Sequence, residues 1–295
     1  MVTREMQETD PVPAVRESEA AGQTAVLFED IRRTLGTTSV NLIWRHLATL
    51  PGALAWCWDA VAPLHQSADL DELARGLRRS VPVPPSVPLT SDVLQVFALS
   101  ADDRSRIHAA LRGYWRSCTM NVLSLNTLLM AMTGAGSEAA APSPTGKGAA
   151  RQDPPMEKMP KALGAPEMSP HVADLAWSLN ALGERGDGRI LASLYRYLAN
   201  WPSALGIAWV LLQPEAASGR LDAAITQCLA EADERARNLI PRLNLGAREL
   251  DEDIRQQITL ALQDFARNAI PKVIPITGLL LGAFASPGLP ALEEI

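Results

Sequence analysis

The sequence predicts an all-α fold: two tandem helical repeats packed as a pseudo-twofold dimer within one chain. Three observations predict it. Ile43-Trp44-Arg45-His46-Leu47-Ala48-Thr49-Leu50-Pro51-Gly52-Ala53-Leu54 matches Leu194-Tyr195-Arg196-Tyr197-Leu198-Ala199-Asn200-Trp201-Pro202-Ser203-Ala204-Leu205 at a constant offset of 151 residues. The same offset carries Asp102, Arg104, Ile107, Ala110, Leu111 and Arg116 onto Asp253, Arg255, Ile258, Ala261, Leu262 and Arg267. Finally, apolar residues recur at helical spacing along both copies, and no alternating strand pattern with a tight hairpin turn is present. A period this long exceeds a solenoid unit, so it reads as two copies of one small fold sharing a seam.

The elements follow in order. Residues 1–25 lack apolar periodicity and are expected to form a flexible tail. Phe28–Leu35 has helical spacing and stops at Gly36, a C-cap signal. Val40–Leu50 presents Val40, Ile43, Trp44, Leu47 and Leu50 on one face before Pro51, and Ala53–Leu64 is apolar nearly all round. Asp69–Arg79 is amphipathic behind an acidic cap, and Val81–Pro88 is an extended connector. Asp102–Met132 begins with another acidic cap and continues as a long helix, with an expected break near Ser117. The Gly-, Ala- and Pro-rich stretch 135–170 is a linker, after which the plan repeats. The organisation is a tail (1–25), first repeat (26–134), linker (135–170), second repeat (171–286) and C-terminal tail (287–295).

Composition narrows the function. A chain of 295 residues with net charge −6 and no basic stripe does not suit nucleic acid. Cys57, Cys118 and Cys228 are odd in number and sit in apolar patterns, which points to buried thiols in a reducing, cytoplasmic compartment. The polar N-terminus has no signal-peptide pattern. Val273–Leu292 is uncharged, but Pro275, Ser286-Pro287-Gly288 and Pro290 interrupt it, so it reads as a core helix and not a membrane span. His46, His65, His108 and His171 lack metal-ligand spacing, and no nucleophile elbow or dinucleotide fingerprint appears, so no metal or cofactor is expected.

The repeated phrases carry a resemblance. Phe28-Glu29-Asp30-Ile31-Arg32, Leu47-Ala48-Thr49-Leu50-Pro51-Gly52 and Leu198-Ala199-Asn200-Trp201-Pro202 resemble the group I 2-haloacid dehalogenases over most of residues 26–285. The resemblance implies an all-α pseudo-dimer with its active site between the halves. It also implies hydrolysis of small 2-haloalkanoic acids, in which a carboxylate activates water to displace halide with inversion and no covalent intermediate. The implied base is an Asp eight residues before the Pro of the Asn-Trp-Pro phrase, and here that position is Leu194 in Ala192-Ser193-Leu194. The implied Asn partner falls on Cys118, with Asn121 one turn away. Leu accepts no proton, and Leu194 and Cys118 now resemble their repeat mates Ile43 and Ala269.

The seam is therefore where a small-molecule ligand is expected. Its candidate residues are Ser39, Leu42, Trp44, Arg45, Trp115, Asn121, Ser193, Tyr195 and Arg196, with Trp44 and Trp115 as pocket walls. Arg45 and Arg196 read either as a clamp for a substrate carboxylate or as structural ion pairs with acids such as Asp102 and Asp253. Asp187 is the nearest alternative base, although Asp187-Gly188 has the look of a turn. Two functions stay open: a dehalogenase with lost or altered activity, and a non-catalytic binder of a carboxylic acid or apolar ligand. The sequence also leaves a homodimer open.

Overall fold

A computed structural model of the chain describes residues 12–134, 161–246 and 250–285. Among them are twelve α-helices and no strand. In the first copy these are α1 (Gly22–Leu35), α2 (Leu42–Leu47), α3 (Ala53–His65), α4 (Ala68–Ser80), α5 (Ser91–Val96) and α6 (Ala101–Thr133). The second copy holds α7 (Pro170–Ala181), α8 (Ser193–Leu198), α9 (Pro202–Ala217), α10 (Arg220–Arg237), α11 (Glu252–Leu262) and α12 (Ile270–Phe284). The expected all-α fold is observed, and no described helix is long and apolar enough to cross a membrane.

Local chemistry explains most of the boundaries. α1 buries Phe28, Ile31 and Leu35 and ends at Gly36, whose φ of 62° is the left-handed cap expected of glycine. The caps of α4 and α6 are serines, not the acids read from the sequence: Ser67 accepts from the Leu70 N–H, and Ser100 forms a capping box with Asp103. The acids sit in the first turns, where they complement the helix dipole.

Four expectations need correction. Residues 12–25 are no tail: Val12 is buried, the Val15 N–H donates to Arg45 O at 3.0 Å, and Glu17 takes hydrogen bonds from Arg32 and the Val40 N–H. Residues 1–11 lie outside the described residues, as do 135–160 of the linker and 287–295 of the C-terminal tail. The linker's last part is ordered, since Ala165 is buried and the Leu163 N–H donates to Arg196 O. α6 runs unbroken through Ser117, because the helix there is buried on most sides. α12 continues through Pro275, preceded by a π-helical segment over Gln263–Ala269. The widened π turn gives Pro271 room, and burial along α12 holds the helix together despite two missing N–H donors. The short α5, capped by Thr90, has no counterpart in the sequence reading.

Some elements of the two halves keep the offset of 151 residues. α8 begins and ends 151 residues after α2, and the run from α11 through α12 does the same for α6. Contacts recur as well: Arg45 Nε binds Val40 O at 3.2 Å, and Arg196 Nε binds Leu191 O at 3.1 Å. At the centre α6 lies against α12, with α4 and α10 flanking them. Each short helix meets the long helical run of the other copy, α2 against α11 and α8 against α6. That exchange creates the space described next.

Candidate functional site

A cavity of about 50 Å³ lies where these elements converge. It is built largely from repeat mates. Asn41, Leu42 and Ile43 at the start of α2 line it together with Ala192, Ser193 and Leu194 at the start of α8. Tyr114 and Cys118 of α6 line it opposite their mates Phe265 and Ala269 in the π segment. Asn121 breaks the pattern. It reaches the cavity, whereas its mate Lys272 turns to Asn180 O and Glu184, each at 2.6 Å.

The wall is uncharged. None of its lining residues is an Asp, Glu, Lys, Arg or His. Burial pushes the Cys118 thiol up to about 12, against an opposing hydrogen bond with Ser117, and it drives the Tyr114 phenol above its ordinary value. Trp44 Nε1 donates to Asn121 Oδ1 at 3.3 Å and so orients the amide on the wall. The Asn41 side chain reaches Ser117 Oγ at 3.5 Å, while its Oδ1 is buried without a hydrogen-bond partner.

A smaller depression of about 10 Å³ shares Ile190 and Ala269 with the cavity and carries Glu184, Asp187, Asp264 and Asn268. Its carboxylates are held by cations. Asp187 pairs with Arg189 at 3.0 Å, Asp264 with Arg189 at 2.6 Å, and Glu184 with Lys272. Asp187 also accepts the Arg189 N–H, which makes it the turn residue its sequence suggested and sets it outside α8. Among the described residues no three His, Cys, Asp or Glu side chains gather as metal ligands.

No family model and no curated protein matches the chain. Solved structures do. A D-2-haloacid dehalogenase mutant in complex with D-2-CPA is 17% identical, covers 91% of this chain and 96% of its own, and superposes with a TM-score of 0.71. A D-2-haloacid dehalogenase with L-LA is 18% identical, with coverages of 92% and 95% and the same TM-score. The chain has the fold of the D-2-haloacid dehalogenases. The all-α dehalogenase fold implied by the sequence resemblance is thus observed.

Within this dehalogenase fold, Leu194 and Cys118, the positions implied for base and Asn, both stand on the cavity wall. Leu42, Asn121 and Ser193 also line it. Trp44 sits one layer behind Asn121, edge-on to Trp58. The other candidates lie elsewhere. Trp115 is fully buried and faces Gly278 of α12, because one residue along a helix turns the side chain by about 100° from Tyr114. Tyr195 is buried away from the wall for the same reason, and Ser39 is exposed. Arg45 and Arg196 bind the carbonyls that precede their own helices, and Asp102 pairs with Arg106.

Sequence reasoning missed Asn41, Tyr114, Ile190 and Phe265, among others. Two signals were present for Tyr114. It stands four and seven residues before Cys118 and Asn121, hence on one helix face, and its repeat mate Phe265 is also aromatic.

Proposed function

We propose that the chain uses the dehalogenase scaffold to hold a small organic molecule at the seam of a pseudo-twofold pair of repeats, without the hydrolysis the resemblance implies. One observation carries this reading: the cavity wall has Leu194 where a water-activating carboxylate would stand, and no other lining group is basic near neutral pH. Displacing halide with water requires a base within hydrogen-bond reach of that water. A buried, unpaired carboxylate is costly, whereas burying a leucine contributes about 1.5–3 kcal/mol, so Leu194 favours stability over chemistry.

Halide release from D- and L-2-chloropropionate tests it, with the native protein, Leu194→Asp and Leu194→Asp/Cys118→Asn compared. The native chain is expected to release none. Release by the native protein defeats the reading and makes it a hydrolase with a relocated base. Asp187, on the depression that shares two walls with the cavity, is then the first residue to replace, by Asp187→Asn. Release by the double variant alone would mean that the cavity still admits the substrate and lacks both the base and its Asn partner.

A further inference from the structure

We infer that the cavity selects a small uncharged molecule bearing both a hydrogen-bond donor and an acceptor, a short-chain primary amide being the simplest, and excludes the matching carboxylate. This rests on reading the cavity as a ligand site.

The polar groups on the wall set the first condition. Asn121 is 1% exposed. An indole N–H only donates, so the bond from Trp44 assigns Oδ1 to Trp44 and leaves the Nδ2 donor of Asn121 for an occupant. Across the seam, the Ser193 hydroxyl stands on the wall and can donate or accept. The wall therefore offers one donor from α6 and, at the start of α8, one hydroxyl that can accept. A primary amide supplies the complement of both. A carboxylate has no proton to give and can meet the Ser193 hydroxyl only as an acceptor.

Charge sets the second condition. An ion desolvated in this cavity would meet no cation on the wall. Arg45 and Arg196, for which a carboxylate clamp was one of two readings, direct Nε to backbone carbonyls. The leading N–H groups of α2 and α8 belong to helices of six residues each. They serve an amide carbonyl as well as a carboxylate and do not replace a positive charge.

Size and shape set the third. A cavity of about 50 Å³ corresponds to roughly three or four water sites, enough for a molecule of about six heavy atoms. Ile43, Leu194, Ile270 and Val273 form its apolar side and suit a branched or halogenated carbon next to the amide.

Calorimetric titration with 2-chloropropionamide and 2-chloropropionate separates the possibilities, because the two share a skeleton and differ in charge and donor. At pH 7 the amide is expected to bind at a single site at least tenfold more tightly than the acid. Between pH 7 and 5.5 the acid should gain about tenfold per unit, since only its protonated form enters, while the amide stays constant. Ser193→Ala and Asn121→Leu, each shown to be folded by circular dichroism, should weaken the amide tenfold or more. Carboxylate binding at pH 7 that equals or exceeds amide binding overturns the selectivity and leaves the ligand-site reading standing. Amide binding that neither substitution affects overturns the inference by placing the ligand elsewhere. Silence from both compounds removes the ligand-site reading and this inference with it.

Discussion

Lys272 Nζ donates to Glu184 Oε2 at 2.6 Å while the lysine side chain is only 1% exposed. It also donates to Asn180 O, so α12 is pinned to the end of α7 and to the loop that follows it. Burial lowers the Lys272 pKa, and Glu184 opposes that shift. Glu184→Gln leaves the ammonium buried without its counter-ion. A loss of about 3 kcal/mol is expected, the low end for breaking a buried pair because Glu184 is 20% exposed. Urea denaturation measures it, and a change below about 0.5 kcal/mol would mean the pair is solvated.

Two buried histidines predict acid sensitivity. His65 stacks on Trp58, contacts Ser124 Oγ at 3.1 Å, and is pushed down to about 3 by burial. His108 falls to about 4, first through burial and then through Arg112 and Arg104. Each folded-state value lies below the ordinary 6.5, so the unfolded chain binds more protons between the two. The stability is complete above pH 6.5 and is lost as the pH falls toward the folded-state values. At pH 4.5 His65 accounts for about 2–3 kcal/mol of the loss. Denaturation curves at pH 7.5 and 4.5 should show it, and His65→Phe should flatten the difference.

Gly278 sets the approach of α6 to α12. A Cβ there would come within 2.6 Å of Val83 and 2.9 Å of the Trp115 ring. Gly278→Ala should therefore cost about 1–3 kcal/mol by overpacking, despite alanine's better helix propensity. A rise in melting temperature would show that the two helices separate freely.

The thiols are expected to be inert. Cys57, Cys118 and Cys228 are all buried, and burial raises all three pKa values, to about 12 for Cys118 and Cys228. Ellman's reagent at pH 7.5 should react with none in the native protein and with all three after denaturation. Rapid reaction of Cys118 in the native protein would show that the cavity opens to solvent.

Much of the fold was legible because its signals are local. The stop at Gly36, the helix over Ala53–His65 and the register of the second copy all follow from spacing and turn residues. The errors arise where distant contacts override those signals. Pro275 should end a helix by local rules, yet packing around α12 carries the helix through it. Residues 12–21 have no apolar period, but Glu17 bridges Arg32 and the Val40 N–H and anchors them. Within the site, Leu194 and Cys118 were identified through the resemblance, whereas Tyr114 was passed over for its neighbour Trp115.

By itself, the sequence determined the helical class, the matching phrases 151 residues apart and the absence of a carboxylate at position 194, since these depend on residue identity and short-range periodicity. Tertiary structure decided which residues face one another. It set α6 so that Tyr114, Cys118 and Asn121 reach the cavity while Trp115 meets Gly278. It also turned Arg45 and Arg196 to nearby carbonyls and closed Lys272 onto Glu184. The rotation of a helix about its axis comes from packing against partners far away in the chain, and no local pattern encodes it.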